Sequence, residues 1–165
     1  MKRVTKLVMP VAGKGLRLRP LTLRTPKALL TLNGQPLLSY ALRDALASGI
    51  REVILVVSPH HRRRFEQYLK NVKNDFSSIR FRIVVQEKTL GTGHSIVVAR
   101  SFIRGEPFAV RYCDDVLLSK QSALKSLIKL FMKYRATIFA VERIPRASIR
   151  QQGVIAIKRT VEPKL

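Results

Sequence analysis

The sequence has no tryptophan, one cysteine and only 10 acidic residues among 165. A lone Cys113 excludes an internal disulfide, so this is not a small fold stapled in an oxidising compartment, and a cytoplasmic setting is expected. No apolar run approaches the roughly 20 residues of a membrane-spanning helix, which excludes a bitopic protein. The apolar stretch near the N-terminus runs into a glycine-rich loop without a small-residue cleavage site, and does not read as a signal peptide. Aromatics make up 7% of the chain, so platforms for stacking bases are sparse. No internal repeat and no low-complexity linker divides residues 1–165, which are expected to form one domain.

The shortage of acids leaves a large excess of the other sign. Lysine and arginine number 32, for a formal net charge of +22. Such a chain attracts nucleotides, nucleic acids and other polyanions, although net charge speaks to association and not to fold. The cations are spread along the chain and form no tail. With 46% hydrophobic residues, the chain is able to bury a core, and disorder is excluded.

Strand and helix patterns alternate. Leu7 to Val11 reads as a buried strand, followed by a loop from Ala12 to Pro26 and a short extended piece over Ala28 to Leu32. Asn33-Gly34 reads as a turn. Pro36 to Ser48 has apolar residues at helical spacing, with Gly49 placed to end the helix. Glu52 to Val57 is a strand, and Ser58-Pro59 opens a helix to about Leu69. Arg80 to Gln86 is a strand, Thr92 is placed to cap a helix to about Ile103, and Pro107 to Tyr112 is a strand. Ser119 opens a helix to about Tyr134. Ala136 to Val141 and Val154 to Ile157 read as the last strands. The alternation predicts an α/β fold: a Rossmann-like, mostly parallel sheet with helices on both faces. Ligands of such sheets bind beyond the carboxyl ends of the strands. The loops Ala12–Lys27, Glu87–Gly93 and Asp114–Val116 should therefore open on one rim.

Each loop carries chemistry. In VAGKGLRLRPLTLRTPK, Gly13 and Gly15 allow backbone N–H groups to approach phosphate, ringed by Lys14, Arg17, Arg19, Arg24 and Lys27. This is not a Walker A loop, since no Gly-Lys-Ser/Thr follows at the required spacing. In QEKTLGTGHS, Gly91 and Gly93 lie between a strand and a helix. Gln86 has an amide able to donate and accept, as base recognition requires, while a plain strand-to-helix turn explains the same residues. In YCDDVLL, two carboxylates stand just past a strand. Mg²⁺ is usually held by one or two carboxylates together with substrate phosphate, so the pair suits that ion.

Taken together, these segments resemble the nucleotidyltransferases that activate sugar-1-phosphates, most of all the bacterial UTP–glucose-1-phosphate uridylyltransferases. The glycine loop with its Arg-x-x-Pro stands as Gly13 to Pro20, followed by Pro26-Lys27. The helix start stands as Gln35 to Tyr40, the link after the helix as Ser48 to Val53, the second glycine segment as Gln86 to Ser95, and the strand-end acids as Cys113 to Val116. The resemblance runs along nearly the whole chain in order. It implies that Ala12, Gly13 and Gly15 hold the nucleotide through their backbone, and that Gln86 and Gly91 read the base with Thr92 nearby. It implies that Arg17 clasps the departing pyrophosphate, Lys27 the phosphates at the reacting centre, and Asp114 the Mg²⁺, with Asp115 its alternative in a register shifted by one. Gly153 would lie beside the sugar, and Glu162 would contact sugar hydroxyls. The substrates would be UTP or dTTP and a sugar-1-phosphate, in an assembly that includes a homo-oligomer among its forms.

Some positions depart from the pattern. Leu16 replaces a threonine, Cys113 replaces a small or rigid residue, and Val161-Glu162-Pro163-Lys164 stands where the family has Glu-Lys-Pro. The resemblance also implies that much of the sugar-binding region lies beyond Leu165, so that the chain reads as a C-terminally truncated form. These departures and the charge motivate an alternative: a catalytically weak domain of the same fold that binds RNA or another polyanion.

Overall fold

The computed structural model describes residues 2–116, 121–146, 149 and 153–155. Its centre is a four-stranded sheet of β1 (Lys6–Pro10), β4 (Glu52–Val57), β5 (Arg80–Val85) and β6 (Phe108–Val110), ordered β5-β4-β1-β6. All three pairings are parallel. A two-stranded antiparallel hairpin, β2 (Thr31–Leu32) and β3 (Gln35–Pro36), stands apart from it. The helices are α1 (Leu37–Ala47), α2 (Arg62–Asn71), α3 (Thr92–Val98), α4 (Arg100–Ile103) and α5 (Ala123–Tyr134).

The strands are apolar on both faces because both faces are covered. Leu7 and Met9 of β1 join Val53, Leu55 and Val57 of β4 in a core with Leu38 and Leu42 of α1, Phe65 of α2 and Leu124 of α5. Val8, Ile54 and Val56 point the other way, onto Ala99 and Ile103. This is the period-2 alternation of a strand, with each side chain set facing its own helix layer. The expected doubly covered α/β sheet is therefore present.

α1 ends where Gly49 takes φ +81°. Gly49 N–H donates to Leu46 O, and Ile50 N–H to Ala45 O, both at 3.1 Å. This pair of bonds closes the last turn, and a side chain in that left-handed conformation would be strained. The chain then enters β4 directly.

Several expected boundaries differ. Lys27–Leu29 is a 3₁₀ turn, so the extended piece shrinks to β2. The helix after Gly91 breaks at Ala99 into α3 and α4, and its N-cap is Gly91, with no side-chain cap from Thr92. Ser58 likewise makes no capping hydrogen bond. α5 is capped by Ser122, whose oxygen accepts from Lys125 N–H at 2.9 Å. Ser119 lies outside the described residues. Residues 136–141 do not form the expected strand: Phe139 and Val141 are each 69% exposed. A β-rich composition makes a strand only where a neighbouring strand takes up its backbone groups, and among the described residues none does so there. Of the second expected strand, residues 153–155 are irregular and the rest lies outside the described residues.

Candidate active site

β1 is the hinge of the topology. From it the chain winds outward through β4 to β5, then crosses back to place β6 on the other side of β1. Loops leaving β1 and β6 at their carboxyl ends lead to α1 and α5, which pack on the same face of the sheet. Because all four strands are parallel, the loop after β5 opens on the same rim. The three expected loops are thus together.

The first loop is held from below. Val11 N–H donates to Val56 O at 2.9 Å, which carries the β1 register one residue further and leaves Ala12 buried at the rim. Gly13 is exposed, and a Cβ there would meet no protein atom within 4 Å. The protein does not fill that space, so a ligand is free to approach the backbone. Gly15 has the opposite reason for being glycine. Its φ is +62°, and a Cβ would stand 2.8 Å from Thr22 Cγ2. Thr22 is buried, and its hydroxyl donates to Gly15 O at 2.8 Å. Thr22 therefore pins the turn, a role that its place in a run of leucines and arginines did not signal. Lys14, Arg17, Arg19 and Arg24 are exposed and pair with no carboxylate among the described residues. Leu16, Leu18, Leu21 and Leu23 are exposed between them.

Lys27 joins the first loop to the acid loop. Its Nζ lies 2.5 Å from Asp114 Oδ2, joining residues 87 apart in sequence. Pro26 and Ala28, on either side of Lys27, are buried, so the backbone is anchored while the side chain is half-exposed. Asp115 has its carboxyl pushed above the usual range by burial and by the charge of Asp114, against the opposing pull of Arg111 and Lys27. Cys113 is buried below them, and burial, reinforced by Asp114, pushes its thiol up to about 12.

The acid loop is braced by a pair not anticipated from sequence. Arg111 Nη1 lies 2.7 Å from Asp44 Oδ2 of α1, with both side chains largely buried. Arg111 Nη2 also donates to Asp115 O at 3.3 Å. Asp44 is the first acid in the chain, and its position on an otherwise apolar face of α1 was the available signal.

The third loop is tied by Gln86, which is 3% exposed. Gln86 Nε2 donates to Gly91 O at 3.1 Å and lies 3.0 Å from His94 Nδ1, while Oε1 accepts from Ser95 Oγ at 2.9 Å. The amide expected to read a base thus also shapes the turn of Gly91, whose φ is +88° with open space around it. Thr92 is exposed beside it. Gly153 is exposed, with nothing within 4 Å of a Cβ, and Glu162 lies outside the described residues.

A rim with an unfilled glycine backbone, unpaired cations and one carboxylate pair suits a phosphate ester carried with a divalent ion. Among the described residues, no three His, Cys, Asp or Glu side chains are grouped to hold a metal. No helix among the described residues is long and apolar enough to cross a membrane.

Comparison with known proteins points the same way. The family model for nucleotidyl transferases matches residues 6–162. A UTP–glucose-1-phosphate uridylyltransferase of Pseudomonas aeruginosa is 31% identical over 173 residues, covering 93% of this chain and 62% of that protein. The Bacillus subtilis protein of the same name is 30% identical, covering 94% of this chain and 59% of the relative. The chain spans about six-tenths of the length of these curated relatives. Among solved structures, a UDP-glucose pyrophosphorylase complexed with UDP-glucose superposes with a TM-score of 0.70 at 31% identity, over 80% of this chain and 55% of that one. A UDP-glucose pyrophosphorylase from Acinetobacter baumannii reaches 0.80 over 96% of this chain and 63% of the other, and at 24% identity that likeness speaks for the fold alone. Relatives named for nucleotidyl transfer disfavour the alternative of an RNA-binding module.

Proposed function

Since this chain belongs to the nucleotidyl transferase family, we propose that it carries the nucleotide-binding part of an enzyme that transfers a uridylyl group from UTP to glucose-1-phosphate. dTTP and another sugar-1-phosphate are the substrates next in chemistry. The observation that carries the reading is the contact of Lys27 with Asp114, which brings the phosphate-type loop and the acid pair together.

The sugar phosphate oxygen attacks the α-phosphorus, and pyrophosphate leaves opposite. Two anions must meet, so the task of the protein is positioning and charge neutralisation. Ala12, Gly13 and Gly15 offer backbone to the nucleotide, and Thr22 holds that turn in shape. Arg17 has no carboxylate partner among the described residues and takes the departing pyrophosphate. Lys27 faces the reacting phosphate. Gln86 Oε1 accepts one bond, from Ser95, and has a lone pair left for an imide N–H such as that of uracil or thymine. Gly91 and Thr92 flank the base. Asp114, with Asp115 beside it, would hold Mg²⁺, which supplies Lewis-acid charge at the phosphates. Gly153 and Glu162 belong to the sugar side of the same scheme.

The test is pyrophosphate release from UTP, glucose-1-phosphate and Mg²⁺, run beside UTP binding by calorimetry. Uridine nucleotide binding with release of pyrophosphate is expected. A folded chain that neither binds UTP nor releases pyrophosphate would sink the proposal.

A further inference from the structure

We infer that Lys27 is the resident counter-cation of Asp114 and must vacate that carboxylate before a divalent ion occupies it, so that one ammonium serves the acid in the free protein and the phosphate in the complex. This rests on the nucleotidyl-transfer reading above and adds an order of events to it.

Two carboxylates stand side by side in Asp114 and Asp115. Arg111 is already committed to Asp44 and to the Asp115 carbonyl. Lys27 is thus the cation that directly answers Asp114. Both members of the pair are more than a third exposed, at 36% and 38%, so their exchange needs no opening of the core. The backbone of Lys27 is fixed between buried Pro26 and Ala28, while its four-carbon stem has rotatable bonds to spare. The ammonium can therefore swing between partners without moving the loop.

A carboxylate whose one oxygen holds an ammonium holds a dipositive ion less tightly, because the two cations repel. An ion arriving alone must displace Lys27 and leave it unpaired in a region rich in arginine. An ion arriving with nucleotide brings phosphate oxygens to which Lys27 can turn. Lys27 therefore opposes the bare ion and favours the ion–nucleotide pair.

Mn²⁺ uptake by the whole chain without nucleotide, followed by the paramagnetic resonance of the free ion, tests this directly. Lys27→Met should bind Mn²⁺ roughly three- to tenfold more tightly than wild type, as removal of a close positive charge implies. Lys27→Gln, with a different shape, should move the same way, which guards against a fold defect in either. Asp114→Asn should lose the uptake gained in Lys27→Met when the two are combined. UTP binding in the presence of chelator should weaken in both Lys27 variants. Folded Lys27 variants that take up Mn²⁺ no better than wild type would overturn the inference while UTP binding by wild type keeps the enzymatic reading intact. Failure of wild type to bind UTP at all would overturn both.

Discussion

The two ends of the same parallel sheet use charge for opposite purposes. At the amino end, the buried cation is matched and spent, while Arg51, Arg80 and Arg104 are exposed and pair with no carboxylate among the described residues. Lys6 is 8% exposed, and its Nζ donates to Phe102 O at 2.8 Å and Ile103 O at 3.2 Å, and pairs with Glu106 at 3.1 Å. Those carbonyls end α4, where a cation is favoured by the helix dipole. Glu52 meets Arg82 at 3.1 Å. The hydrogen bond from Lys6 holds the Glu106 carboxyl below the ordinary carboxylate range. At the carboxyl end, Lys14, Arg17, Arg19 and Arg24 pair with no carboxylate among the described residues; the ion pair of Arg111 with Asp44 is largely buried, and that of Lys27 with Asp114 is open to water. Charges that are satisfied at home stabilise a fold. Charges left over beside the open backbone of Gly13 are those the proposed nucleotide would meet.

The sharpest way to break this contrast is to remove one cation from each end. Lys27→Ala should reduce uridylyl transfer by about 100-fold or more, since a group facing transition-state charge is lost. Its stability should change by about 1 kcal/mol or less, as for other exposed ion pairs. Lys6→Met should do the reverse. Two carbonyls and Glu106 lose a buried partner, and urea denaturation should show a loss of about 2 kcal/mol, while calorimetry shows UTP affinity within about twofold of wild type. A Lys27 variant that mainly unfolds, or a Lys6 variant that mainly loses nucleotide, would erase the distinction.

Gly15 sharpens the comparison from within the carboxyl rim, because there a structural reason and a functional one meet in one residue. Gly15→Ala brings a Cβ to 2.8 Å from the buried Thr22 and must adopt φ +62°. We expect a stability loss of about 1–2 kcal/mol and a weaker grip on UTP, both measured on the same protein. Gly13→Ala meets no protein atom, so its folding should be nearly unchanged and its loss confined to nucleotide binding. Equal effects of the two substitutions on stability would show that the loop is not organised as described.

Much of this was legible in the sequence, for reasons that differ by segment. Glu52 to Val57 is a β-branched run bounded by a glycine and a Ser-Pro, and it forms β4 with the expected bounds because it is buried on both faces. The three loops on one rim followed from strand–helix alternation alone. What sequence could not supply were pairings between distant residues: Arg111 with Asp44 and Lys6 with Glu106. Neither lies in a motif, and each depends on where the chain returns. The misplaced strand over residues 136–141 failed for a related reason. Local composition states a preference, but a neighbouring strand decides it. Sequence also did not show that Gly15 and Gln86 hold their own loops together.

The smallest effect concerns the floor beneath the acids. Cys113 is 5% exposed, and its thiol is pushed up to about 12 by burial first and by Asp114 second. The folded state therefore keeps its proton in alkali, while the unfolded chain releases it near the ordinary thiol value of about 8.5. With more protons bound to the native state, stability falls as pH rises above that value, and continues to fall until the folded value is reached. Between about pH 7.5 and 9, wild type should lose roughly 0.8 kcal/mol more than Cys113→Ala, as the linkage relation gives for one thiol. Urea titrations of both proteins at the two pH values measure the difference. If the losses were equal, the thiol would not be buried in the way the carboxyl rim requires, and the acids above it would rest on a wetter floor than β6 and α5 provide.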